Sequence, residues 1–140
     1  GKFHPAGSLG KKLILKVDDL MAKDDKNAKI HINVSLKDAI VELSKKGLGL
    51  VAVVDDEDNL LGVITDGDLR RQLEKGVDIY SLKVEDIMTK TPTTIQCGKL
   101  AIDALNILKE KNISCLPVLS EGKVIGTIRL QDIIGVGIVG

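Results

Sequence analysis

Apolar and polar positions follow two periods along this chain, and the periods predict its elements. Residues 29–34 alternate and read as a short strand, with His31 facing solvent opposite Ile30 and Ile32. Leu36, Ala39, Ile40 and Leu43 then recur at the helical period. Ser35 and Asp38 form a capping box at the start of that helix, and Lys45-Lys46-Gly47 stop it. Leu50–Val54 is an unbroken apolar run between turn residues, as a buried strand requires. Residues 55–59 turn the chain, residues 60–64 return antiparallel, and a second helix opens at Thr65.

The same order then recurs. Residues 93–96 predict a strand, 99–111 a helix, 115–119 a strand, 121–123 a turn and 124–128 a strand. The recurrence extends to particular residues. Val17-Asp18-Asp19-Leu20-Met21, predicted as a helical turn, returns as Val84-Glu85-Asp86-Ile87-Met88, 67 positions on. Asp38 returns as Asp103 after 65 positions, and Gly62 and Asp68 return as Gly126 and Asp132 after 64. The offset drifts only across predicted loops, as it does between copies of a duplicated structural unit. Each copy is therefore β-α-β-β-α, an α/β (α+β) unit with one sheet face left to cover. Packing two copies about a pseudo-twofold axis buries that face.

Composition narrows the function classes. Twenty basic and twenty acidic residues in a chain of 140 give a formal net charge of +0, which argues against a surface built to attract nucleic-acid phosphates. Aromatic content of 1% removes the stacking platform of single-strand binders and leaves an aliphatic core. No apolar run approaches the ~20 residues that span a bilayer. Cys97 and Cys115 fall in different elements of a chain without a secretory signature, so free thiols and a cytoplasmic setting are expected.

The corner at residues 60–71 carries the chemistry. Thr65 caps a helix and Asp68 sits three residues on, favoured by the positive helix end. A hydroxyl and a carboxylate at a strand-to-helix corner also suit the hydroxyls and phosphate of a nucleotide ribose. In the second copy Arg129 replaces Thr65. A guanidinium cannot accept the capping bond, but it can fork onto a phosphate, or onto Asp132 beside it.

The two Val-acidic-Asp-Leu/Ile-Met openings and the glycine-to-aspartate corners resemble the tandem cystathionine-β-synthase (CBS) domain pair. That regulatory module binds adenosyl and other nucleotides between its halves. The resemblance implies a first repeat at 15–76, a linker at 77–83, a second repeat at 84–135 and a tail at 136–140. It also implies ligand contacts at Thr65, Asp66, Asp68, Arg70 and Arg71, at Lys90, Thr91, Pro92 and Thr93, and at Arg129 and Asp132. Pro92 holds its segment extended. The segment Phe3-His4-Pro5-Ala6-Gly7-Ser8-Leu9-Gly10-Lys11 resembles the end of the sugar-isomerase domain of D-arabinose 5-phosphate isomerases, and the run from Thr65 to Arg71 is typical of the CBS pair that follows it there. By that resemblance residues 1–14 are the remnant of an upstream isomerase domain and His4 belongs to its active site.

Other chemistries fail on context. The glycines of residues 135–140 follow a helix rather than a strand, against the dinucleotide-binding arrangement. Gly62 to Gly67 has P-loop spacing, but Asp68 stands where lysine is required. Two His and two Cys without short spacing make no zinc site, and no metal or cofactor is expected. No enolising base with a sugar-phosphate pocket is readable, so the chain itself is expected to be non-catalytic.

The expectation is a regulatory module of an arabinose 5-phosphate isomerase, an enzyme that interconverts ribulose 5-phosphate and arabinose 5-phosphate for synthesis of the acidic sugar Kdo. Its ligand would be the nucleotide-sugar CMP-Kdo or, alternatively, AMP or ATP. The expected assembly is a homodimer through the CBS pair within a homotetrameric parent, without nucleic-acid or membrane partners. Two alternatives stand beside it. One is a ligand-free dimerisation module, and the other an adenine-nucleotide sensor attached to another parent, such as a transporter or a nucleotide dehydrogenase.

Overall fold

Glu121 and Gly122 both adopt left-handed backbone, at φ 52° and 79°. That is the two-residue hairpin geometry matching the right-handed twist of flanking strands. It joins β5 (Cys115–Ser120) to β6 (Lys123–Arg129) in the second half of the chain. In the first half a longer turn joins β2 (Leu50–Val54) to β3 (Leu60–Thr65). Asp55 stabilises it by accepting from the Glu57 and Asn59 backbone N–H groups at 2.9 and 3.0 Å. The computed structural model describes residues 10 and 13–139, so His4 and most of the segment around it lie outside the described residues.

Each half forms a three-stranded sheet. β1 (Lys29–His31) runs parallel to β2, which pairs antiparallel with β3, and β4 (Ile95–Gln96), β5 and β6 repeat that order. The helices follow the predicted scheme: α1 (Val17–Leu20), α2 (Leu36–Lys46), α3 (Asp66–Glu74), α4 (Val84–Ile87), α5 (Ala101–Lys111) and α6 (Leu130–Ile134). Ser35 caps α2 by accepting from the Asp38 N–H at 3.1 Å. Gly47 ends α2 in the left-handed region, and Asn112 takes the matching place after α5 at φ 54°.

Two predicted strands are shorter than expected, each for a local reason. The strand expected over 29–34 ends at His31, because Val34 N–H turns back to the His31 carbonyl and Asn33 N–H to His31 Nδ1. His31 is also half-buried rather than solvent-facing, with Nε2 at 2.5 Å from Asp56 Oδ1. The strand expected over 93–96 starts only at Ile95. In the first half Lys29 pairs with Ala52, and Ala52 N–H donates to the Ala28 carbonyl at 2.9 Å. The residue matching Ala52 is Pro117, which has no N–H to give Thr93. Likewise α5 begins at Ala101 rather than Lys99, its first N–H donating to the Leu15 carbonyl at 2.7 Å.

The repeats of sequence are not the units of packing. Val17, in the opening of the first repeat, lies in one core with Ala101, Leu105, Leu116, Ile128 and Ile133 of the second. Val84 and Ile87, in the opening of the second repeat, pack among Leu36, Leu43, Val53 and Ile64 of the first. Each opening thus crosses over and completes the other half. Between the halves, Ala52, Val54, Leu119 and Val124 form a shared apolar layer. Burial of such aliphatic surface is the main stabilising term in a chain with 1% aromatic residues. The glycine-rich tail takes part too, since Ile138 is buried in the second core.

Candidate functional site

β3 runs directly into α3, and the corner between them is held by a reciprocal box. Thr65 Oγ1 accepts from Asp68 N–H at 3.2 Å, and Asp68 Oδ2 accepts from Thr65 N–H at 3.0 Å. Two otherwise orphaned helix N–H groups are satisfied in this way. Asp68 Oδ1 also receives Arg71 Nη2 at 2.5 Å and faces the Thr89 hydroxyl at 3.5 Å. Asp68 is buried, yet Arg71 is 63% exposed, so this ion pair is solvated at one end and contributes little to stability. An exposed guanidinium is also free to turn toward an incoming anion.

Thr89 reaches this corner because the opening of the second repeat crosses over. Val63 and Thr89 exchange backbone hydrogen bonds of 3.0 and 2.8 Å, which tie the start of segment 89–93 to β3. Between that segment, the corner and the α5–β5 connection lies a cleft of about 740 Å³. It gathers Thr65, Asp66, Asp68, Arg70, Arg71, Thr91, Pro92 and Thr93, eight of the residues expected from the sequence. Lys90 is exposed and does not line it.

The opposite wall was not anticipated: Asn112, Ile113, Ser114 and Cys115, with Gly49, Leu50 and Leu130. These residues carry no recognisable chemical pattern. The duplication was the available signal, since residues 47–50 and 112–115 are matched connections before matched strands. Cys115 is buried on this wall. Burial raises its thiol pKa, the neighbouring Asp66 charge adds to the rise, and the Ser114 hydroxyl and Arg129 act against it.

The second corner has the same backbone and different chemistry. Asp132 Oδ2 accepts from Arg129 N–H at 3.1 Å, while the guanidinium forks onto the same carboxylate through Nε at 3.1 Å and Nη2 at 2.8 Å. That bond raises the Arg129 pKa above the ordinary arginine value. Arg129 and Asp132 therefore satisfy one another, and neither lines the cleft, although Arg129 pairs in the sheet with Cys115 on its wall. Among the described residues no group of three or more His, Cys, Asp or Glu is placed to hold a metal ion, and no helix is long and apolar enough to cross a membrane.

Comparison with known proteins agrees with the duplication. Residues 17–75 and 84–138 each match the family model of the CBS domain. The chain is 47% identical over 139 residues to arabinose 5-phosphate isomerase GutQ of Escherichia coli O6:H1, a match covering 99% of this chain and 43% of that protein. The chain thus spans less than half the length of the curated relatives it matches. Among solved structures, the CBS domain pair of protein MJ0100, in complex with 5'-methylthioadenosine and S-adenosyl-L-methionine, superposes with a TM-score of 0.76 at 26% identity, covering 87% of this chain and 94% of that one. CBSX2 in complex with AMP gives 0.73 at 28% identity, covering 86% and 94%.

Proposed function

This chain belongs to the CBS domain family, and from that premise we propose that it is the ligand-sensing module of an arabinose 5-phosphate isomerase. Its cleft binds a nucleotide or nucleotide-sugar and adjusts the activity of an isomerase domain that precedes it, with residues 1–14 as the end of that domain. The observation that carries this reading is the convergence of Thr65, Asp68, Arg70, Arg71 and Thr91–Thr93 on one cleft. Asp68 accepts from ribose hydroxyls, the Thr65 hydroxyl meets a phosphate oxygen, and Arg70 and Arg71 on the rim neutralise anionic groups. That MJ0100 is solved with 5'-methylthioadenosine and S-adenosyl-L-methionine, and CBSX2 with AMP, supports a nucleoside-containing ligand.

Two cations beyond the ribose contacts favour a ligand with more than one anionic group. CMP-Kdo, with a phosphodiester and a sugar carboxylate, is such a ligand and is the activated end product of the branch in which the isomerase acts. It is our first choice, with AMP or ATP as the alternative. Leu73 on α3 and Ile134 on α6, 61% and 50% exposed, support a homodimer through these helices within a tetrameric cytoplasmic parent. Side-by-side calorimetry of CMP-Kdo, AMP and ATP at one ionic strength tests the ligand, because charged contacts weaken with salt. CMP-Kdo should bind most tightly, and tighter binding of an adenine nucleotide would reverse the assignment.

A further inference from the structure

The two corners face two pseudo-equivalent clefts whose walls differ. The open cleft is walled by residues 89–93, and the matching wall at the other corner is residues 22–28. Ala22 exchanges backbone bonds with Thr127 at 2.8 and 3.0 Å, as Thr89 does with Val63. From these matched points the chain takes different lengths to the next strand. Ala22 to Ile30 is eight positions, and Thr89 to Ile95 is six. The longer connection folds as a 3-10 turn, Asp24–Lys26, with Asp24 in the left-handed region at φ 54°.

That turn delivers Asn27 onto Thr127. The Thr127 hydroxyl donates to Asn27 Oδ1 at 2.7 Å, with Thr127 0% and Asn27 6% exposed. At the open cleft the position of Thr127 is held by Val63, which lines the cavity and offers no such bond. The backbone differs in the same sense. The Ala28 carbonyl is taken by Ala52 N–H, whereas Pro117 cannot close off the Thr93 carbonyl on the open cleft's wall. Two charged side chains on this side are occupied as well. Arg129 is forked onto Asp132, and the Lys46 ammonium donates to the Asp25 carbonyl. Opening this side would leave a buried hydroxyl and amide unpaired, a cost the first cleft does not face.

We propose that residues 24–27 close the second cleft against Thr127, so that each chain binds a single nucleotide, in the first. The ligand in this statement rests on the nucleotide reading, but the closure stands independently of it. Two measurements on the unmodified chain test it. Titration with AMP should give one site per chain, with amide NMR shifts at residues 89–91 and 93 and none at 22–27. Two sites, or shifts at 22–27, would overturn the proposal. In the free chain, Val63 and Thr127 N–H groups each donate at 3.0 Å, to Thr89 and Ala22 respectively, and so form an internal control. The Thr127 amide should show a hydrogen-exchange protection factor at least roughly tenfold above that of Val63. Equal or reversed protection would overturn the closure. Complete absence of AMP binding would reject the adenine-nucleotide alternative, while the exchange comparison would still decide whether the second cleft is closed.

Discussion

Met88 lies across Gly62. A Cβ at Gly62 would stand 2.9 Å from Met88 Sδ and 2.7 Å from the Thr89 carbonyl oxygen. Met21 lies across Gly126 in the same way, at 2.5 Å from such a Cβ, with the Ala22 carbonyl at 2.8 Å. The methionine of each opening and the glycine of the opposite corner are therefore two halves of one contact, and that contact locks the exchanged segments in place. The thioether tip has room to move, but the carbonyls belong to paired backbone. Gly62→Ala and Gly126→Ala should each cost about 1–3 kcal/mol by overpacking, read as a lower urea midpoint. Unchanged midpoints would mean the crossing segments are not held as described.

Asp68 has a structural role before any ligand arrives. Replacing it with Ala removes the acceptor for Thr65 N–H and the partner of Arg71, so a loss of roughly 1–3 kcal/mol is expected from a buried hydrogen-bonded carboxylate. Arg71→Ala should cost less than about 1 kcal/mol, as its side chain is mostly exposed. Chemical denaturation of both variants checks the order, and equal losses would contradict it.

Cys115 predicts an alkaline sensitivity. Burial raises its pKa, so the folded chain holds the thiol proton more tightly than the unfolded chain. The stability this group contributes is complete below the ordinary thiol value of ~8.5 and is lost as pH rises from there through the raised folded value. Wild type should therefore lose stability with pH over that range faster than Cys115→Ala. Parallel slopes in a pH series of unfolding curves would argue against a buried thiol.

Arabinose 5-phosphate should not be converted by this chain alone, because the proposed function makes its cleft a sensing site and leaves the isomerase chemistry to another domain. A coupled assay on the purified chain checks this. Turnover above background that scales with protein would overturn it.

The duplication and both corners were legible because each rests on local chemistry. Thr65 and Asp68 satisfy each other within four residues, and Gly62 and Asp68 return together as Gly126 and Asp132. The crossing of Val17 and Val84 into opposite cores was not legible. An apolar residue at a helical spacing fits either core, and only tertiary packing selects one. The wall at Asn112–Cys115 was missed for a related reason, since it contributes shape and backbone more than distinctive side chains. Pro117 was visible, but its effect on the strand beginning at Ile95 depends on which carbonyl its missing N–H would have met.

The most direct test of the central claim compares two matched carboxylates, Asp68 at the open cleft and Asp132 at the second corner. AMP is titrated into folded wild type, Asp68→Ala and Asp132→Ala under one buffer, with folding verified by denaturation. Asp68→Ala should weaken binding by about 1.5–3 kcal/mol, roughly ten- to a hundredfold, as for a lost hydrogen bond to a charged group. Asp132→Ala should leave affinity unchanged. Unchanged affinity in Asp68→Ala, or a loss confined to Asp132→Ala, would contradict the account.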